Sequence, residues 1–133
     1  MIKALFSIDA FAHEITSWNK KKKLLSNLID KHQFCEETGF KEVAMLDAWA
    51  IKYDKNDYQV AHQHGRVMYT GIIYLNLDPK QDSTTFICPY PSEITGHTKL
   101  SEIECKEGTL VIVPAFLMHY VKPNLLKKPR VVI

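Results

Sequence analysis

Cysteine is scarce in this chain. Cys35, Cys88 and Cys105 make an odd number, and no two share a C-x-x-C spacing. A disulfide framework or a zinc ribbon needs paired cysteines, so neither is expected, and a reducing cytoplasm is the expected compartment. A surplus of one charge is also lacking, with 17 basic against 15 acidic residues and a net charge of +2. That balance gives no argument for nucleic acid or an acidic membrane. The one basic run, Lys20 to Lys23, reads as the solvated face of a helix, with a phosphate-binding patch as the alternative. No apolar run approaches the ~20 residues that span a bilayer. The opening MIKALFSIDAF contains Asp9 and no small-residue cleavage site, so no leader is expected. Internal repeats and low-complexity linkers are missing as well. The 133 residues are therefore expected to form a single domain, 1–133, large enough for a sizeable core.

What is present is a helix signal followed by many strand signals. Lys3 to Ile8 reads as an opening strand and Asp9 as the start of a polar turn. Between Thr16 and His32, Leu24/Leu28 and Leu25/Ile29 are spaced i, i+4, which puts them on one helical face. Strands are expected over Val43–Tyr53, Tyr58–His64, Met68–Leu77, Thr84–Cys88, Leu100–Cys105, Thr109–Val113, Leu117–Val121 and Arg130–Ile133. Turn signals separate them: Asp54-Lys55-Asn56-Asp57, Gly65-Arg66, Asp78-Pro79, Pro89 and Lys106-Glu107-Gly108. Short strands at this density indicate a mainly β sandwich or barrel with the N-terminal helix packed on the outside.

The chemically loaded segment is His62-Gln63-His64. Residues i and i+2 of a strand point to the same side, so two imidazoles would converge on one point. Imidazole suits iron, zinc, copper and nickel. Alone the pair is weak, since six histidines in a chain of this size produce one by chance about one time in four. His119, on a late strand, strengthens it. Two histidines from an early strand and one from a late strand are how a jelly roll builds a three-ligand site with open positions. The common iron version of that site has a carboxylate as one of its three ligands, and here His64 would stand in its place. His13, His32 and His97 fall in the helix region or a loop and are read as surface or capping residues.

The run H-x-H, then Y-T-G-I-I-Y-L-N-L, then E-G-T-L-V-I-V-P-A-F-L-M-H-Y-V-K-P-N, then R-V-V-I resembles the 2-oxoglutarate/iron(II) oxygenase family of bacteria and phages. The family pattern is roughly H-x-H, S-G-x-Y-Y, G-x-x-x-x-F-P-S-x-x-x-H-x-V-x-P-N and R-x-S-x-x-F-N. The match runs from about Trp49 to Ile133. The Y-L-N strand is also similar, more distantly, to the prolyl hydroxylases. The resemblance implies a double-stranded β-helix, or jelly roll, holding Fe(II) and 2-oxoglutarate. His62 and His119 would be iron ligands and catalytic, with His64 at the second ligand position. Arg130, eleven residues after His119, would pair with the distal carboxylate of 2-oxoglutarate, and Tyr74 would help to hold it.

The implied activity is that of a dioxygenase of hydroxylase type, consuming 2-oxoglutarate and O2 and releasing succinate and CO2. Its primary substrate is unidentified, no membrane or nucleic-acid partner is expected, and a homodimer is admitted. Two other readings stay open: a cupin-like three-histidine metalloprotein that does not use 2-oxoglutarate, and a non-enzymatic binding module on the same barrel. Trp49, Tyr53, Tyr69 and Phe116 are candidates for lining a pocket, with core packing as the competing role. The chain departs from the family at Thr70 (Ser), at Val113-Pro114-Ala115 (F-P-S) and at Cys88 (an acidic residue). The sequence stops three residues after Arg130, where the family pattern continues: either the terminus is trimmed or the last strand is short, and a truncated strand would weaken the support around Arg130.

Overall fold

Ten strands and one helix are formed by the residues that the computed structural model describes, namely 2–5, 8–14, 31–41 and 46–133. In chain order they are β1 (Ile2–Leu5), β2 (Ile8–Glu14), α1 (Lys31–Thr38), β3 (Ile51–Tyr53), β4 (Gln59–His62), β5 (Tyr69–Asn76), β6 (Thr85–Pro91), β7 (Thr98–Glu102), β8 (Thr109–Pro114), β9 (His119–Val121) and β10 (Arg130–Val132). They make two antiparallel sheets, one ordered β1-β2-β8-β5-β10-β3 and the other β4-β9-β6-β7. The expectation of a mainly β chain holds. From β3 onward the strands alternate between the sheets, except that β6 and β7 are neighbours in the smaller one.

The core lies between the sheets. Ile72 and Tyr74 of β5, Val111 and Val113 of β8, Tyr53 of β3 and Val132 of β10 meet Phe86 of β6 and Val121 of β9 there. The intervening residues Ile73, Leu75, Leu110 and Ile112 form a second apolar cluster with Ile133 on the other face of the large sheet. Apolar packing on both faces explains why β5 and β8 read as almost continuous apolar runs instead of alternating. Burial on this scale contributes roughly 1.5–3 kcal/mol per large side chain.

Several boundaries differ from the sequence reading, each for a physical reason. Asp9 lies inside β2, which pairs with β1 and with β8, so the ladder overrides a local turn signal. His13 accordingly sits on a strand, opposite Leu110, and not in a helix or loop. Of the strand expected over Val43–Tyr53, the described residues 46–53 form only Ile51–Tyr53, where β10 supplies a partner, and Val43–Met45 lie outside the described residues. Pro89 does not end β6; it lies where the register with β7 shifts between Ile87 and Pro91, a place where a missing N–H is tolerated. The helix expected over Thr16–His32 and the basic run Lys20 to Lys23 lie outside the described residues, apart from Lys31 and His32, which open α1. That helix stops at Gly39, whose φ of 75° suits a left-handed cap and whose N–H bonds to the Cys35 carbonyl at 2.8 Å. The short last strand is held to its final residue, since Ile133 and Ile73 exchange backbone hydrogen bonds of 3.0 and 2.8 Å.

One buried side chain ties the loops at one end of the sheets together. The Asn124 amide donates to the carbonyls of Tyr53 and Lys128, each at 3.0 Å. Its oxygen accepts from Gln81 Nε2 at 2.9 Å and from the Leu126 N–H at 3.0 Å. Its backbone bonds to Asn56 and Asp57 across the turn where Asn56 adopts a φ of 73°. Replacing Asn124 with Ala would take these bonds from the Tyr53 carbonyl and the Leu126 N–H, while Gln81 Nε2 and the Lys128 carbonyl keep their own 2.8 Å bond, and each group left unpaired costs about 1–3 kcal/mol when buried. Asn124→Ala is expected to lower unfolding stability by roughly 3 kcal/mol in urea titrations. A loss under 0.5 kcal/mol would show that water replaces the amide.

Candidate metal centre

The centre begins with strand register. His62 of β4 lies directly opposite His119 of β9, and Phe86 of β6 lies opposite His119 on its other side. Paired residues project to the same face, so these three side chains form a row across the small sheet. Between Gln59 and His62 the register slips by one residue, a bulge in β4. Bulges redirect side chains, and this one precedes His62. The strand expected to run through His64 ends at His62. His64 lies just beyond it, held by its own N–H to the Ala115 carbonyl at 2.9 Å. The same-side argument for an i, i+2 pair within one strand therefore does not place His64; the tie to the loop before β9 does.

All three imidazoles nevertheless converge. Their nitrogens lie within 4.8 Å of one another. The ring centroids are 4.4 Å apart for His62 and His119, 5.2 Å for His62 and His64, and 5.3 Å for His64 and His119. His62 Nδ1 bonds to the Val60 carbonyl at 2.9 Å, and His119 Nδ1 bonds to the Leu117 carbonyl at 2.9 Å. A carbonyl only accepts, so each Nδ1 carries the proton and each Nε2 keeps its lone pair for a metal. Val60 is one of the bulge residues, so the bulge both turns His62 and orients its ring. Among the described residues no hydrogen bond anchors the His64 ring; Trp49 lies against it instead, at 5.7 Å between centroids.

Burial prepares the rings for ligation. His119 is 3% exposed, and desolvation pushes its pKa down to about 4, assisted by His62 and His64 and opposed by the bond to Leu117. The His64 pKa is also lowered, by desolvation first and by His62 second. His119 is thus neutral at physiological pH and has no proton for a metal to displace. The donor set fits a first-row divalent ion, with three neutral nitrogens in place of two nitrogens and a carboxylate.

Arg130 forms a second feature. It is 2% exposed. Nη1 donates to the Asp82 carbonyl at 2.7 Å and Nη2 to the Lys122 carbonyl at 3.4 Å, while the buried Nε has no partner. The Tyr53 ring lies 4.7 Å from the guanidinium carbon. Desolvation lowers the Arg130 pKa, yet a guanidinium stays charged throughout the physiological range. Among the described residues no carboxylate forms an ion pair with it. A buried cation satisfied only by carbonyls, with one N–H unpaired, suits an anionic ligand.

Tyr74 is fully buried, and its hydroxyl exchanges two 2.9 Å hydrogen bonds with Thr84, one to Oγ1 and one from the backbone N–H. Desolvation raises its pKa, so the phenol stays protonated. Its single proton is already engaged within the protein. Of the four candidate aromatics, Tyr53 is buried beneath Arg130 and Trp49 flanks His64. Tyr69 and Phe116 line a cleft that begins at His64. Asn124 was not singled out among the site residues, although it closes the V-K-P-N motif that was in view.

Comparison with known proteins bears on this geometry. A family model described as "Putative 2OG-Fe(II) oxygenase" matches residues 47–133. The chain is similar in fold to the crystal structure of an oxidoreductase of the 2OG-Fe(II) oxygenase family from Burkholderia pseudomallei. The TM-score is 0.56 at 11% identity, covering 99% of this chain and 69% of that one. No curated protein matches the chain in sequence. The family match takes in the three converging histidines, Tyr74 and Arg130, and the chain belongs to the 2OG-Fe(II) oxygenase family.

Proposed function

We propose that this chain is an Fe(II)- and 2-oxoglutarate-dependent dioxygenase of hydroxylase type, built as a single double-stranded β-helix domain. The observation that carries the reading is the trio His62, His64 and His119, two of them locked with Nε2 free. Those three residues would hold iron(II), and Arg130 would pair with the distal carboxylate of 2-oxoglutarate. Iron with 2-oxoglutarate would supply the activation of dioxygen that couples oxidation of a substrate to release of succinate and CO2. The protein contributes position and dryness. The backbone carbonyls of Val60 and Leu117 fix two rings, Tyr53 and two carbonyls fix Arg130, and the packed core excludes water from the buried side. A second reading, a three-histidine metalloprotein without 2-oxoglutarate, draws support from Tyr74, whose proton is engaged by Thr84.

The two readings separate on cofactor binding. Anaerobic addition of Fe(II) and then 2-oxoglutarate is expected to develop a weak visible charge-transfer band. Arg130→Ala is expected to weaken 2-oxoglutarate binding roughly a hundredfold, the ~3 kcal/mol typical of truncating one side of a buried charge pair. A metal-loaded protein with no band, indifferent to Arg130→Ala, would leave the second reading standing.

Metal content tests the histidines one by one. His62→Ala and His119→Ala are each expected to abolish stoichiometric iron binding in elemental analysis of reconstituted protein. His64→Asp is expected to tighten iron(II), because it restores a carboxylate to the donor set. Unchanged metal affinity in His64→Ala would reduce the centre to two protein ligands.

A further inference from the structure

The metal-facing groups differ in exposure. His119 is buried, whereas His62 and His64 are partly open. From His64 a cleft of about 490 Å³ runs along the surface, lined by Gln63, Gly65, Val67, Met68, Tyr69, Pro114 and Phe116. Among the described residues that line it there is no Asp, Glu, Lys or Arg, and Gln63 is the only amide. Several of these side chains face solvent although they are apolar: Met68 is 69% exposed, Phe116 54% and Val67 38%. Trp49, itself half-exposed, extends the apolar surface past the His64 ring. Exposed apolar side chains scattered singly mean little, but a contiguous group that opens onto a reactive centre marks a binding site.

We infer that this cleft is the primary-substrate subsite and that it takes an uncharged aromatic group. This deepens the proposed function and rests on it. The uncharged class follows from the described lining, which is largely apolar, because a charged group entering such a cleft loses hydration that these walls do not replace. The aromatic class follows from the walls. The half-exposed Phe116 ring lines the cleft with Tyr69, whose ring also meets Phe40 edge-on at 5.9 Å between centroids, and Met68 offers a thioether, which packs well against rings. Gln63 can serve one neutral polar substituent.

Three probes that share a phenyl ring and differ in charge test the inference: phenylacetamide (neutral), 2-phenylethylamine (cationic at neutral pH) and benzenesulfonate (anionic). Binding is read by saturation-transfer NMR on the wild-type protein loaded with Zn(II) and 2-oxoglutarate. Phenylacetamide is expected to bind saturably and roughly tenfold more tightly than either charged probe, given the cost of dehydrating a charge. Met68→Asp and Phe116→Asp are each expected to weaken it at least fivefold, roughly. Both side chains are largely exposed, so the substitutions fall where folding is little affected, and the thermal transition of each variant checks this. Hexanol competing as well as phenylacetamide would overturn the aromatic class. Equal binding of the three phenyl probes, or binding indifferent to both Asp variants, would overturn the subsite. The charge-transfer band with iron reports separately on the proposed function. A band without neutral-probe preference sinks only the subsite; a preference without the band sinks only the 2-oxoglutarate reading.

Discussion

The pairing of β4 with β9 sets His62 directly across from His119, and the rest of the centre is arranged around that pair. An antiparallel ladder fixes the spacing of opposite residues to within about an ångström, so two ligating rings arrive together whenever the register is correct. The bulge before His62 adds the rotation that a flat ladder would not give, and its own carbonyl at Val60 holds the ring that it turns. On the other strand Leu117 plays the same part for His119 from two residues upstream. Both anchors are backbone carbonyls, and neither can swing away as a side chain can. His64 has a different status. It stands outside the strand, tied by its main chain to Ala115 and touched at its ring by Trp49. Its position follows from the loops and from an aromatic contact, so of the three it has most freedom to move.

Arg130 depends on a separate construction at the junction of β10, β3 and the loops that Asn124 binds together. β10 is three residues long, so the strand alone would hold its guanidinium poorly. The fixing comes from the Asp82 and Lys122 carbonyls and from the Tyr53 ring, and Tyr53 is itself joined to Asn124 through its carbonyl. Lys122 follows His119 on the same chain segment, which links the arginine's environment to the histidine's strand. A short final strand is therefore no weakness in itself, because the support lies in contacts distant in sequence.

Much of this was legible in the residues. The dense apolar runs of β5 and β8, the turn at Asp54–Asp57 and the presence of β9 follow from local pattern, although β9 starts at His119 and not at Leu117. The convergence of His62 and His119 was implied by the jelly-roll arrangement, and it is the register of β4 with β9 that sets them opposite each other. What was not legible belongs to pairing and packing. Asp9 looks like a turn residue until β1 supplies it with a ladder partner, Ala4. The bulge at Val60 leaves no mark on an alternating pattern, and the pattern likewise does not show that β4 ends at His62, short of His64. The stacking of Tyr53 on Arg130 joins residues far apart in the chain and cannot be read from either. Tyr74 shows the converse: its place in the Y-L-N strand suggests a ligand contact, while Thr84, ten residues on, already engages its hydroxyl.

Replacing a carboxylate by His64 changes the charge of the centre as well as its donor atoms. On the proposed reading, a divalent ion held by three imidazoles would keep its whole charge, and Arg130, which forms no ion pair among the described residues, would add another. Charges in a partly buried site interact several times more strongly than in bulk water. On the proposed reading such a site would favour a dianionic ligand, and 2-oxoglutarate is one. The same change removes an anion that would have held the metal when the ligand is away. On that reading metal and co-substrate would support each other more strongly than where a carboxylate is built in. Coupling of this kind is reciprocal by thermodynamic necessity, so 2-oxoglutarate would tighten iron by the same factor as iron would tighten 2-oxoglutarate.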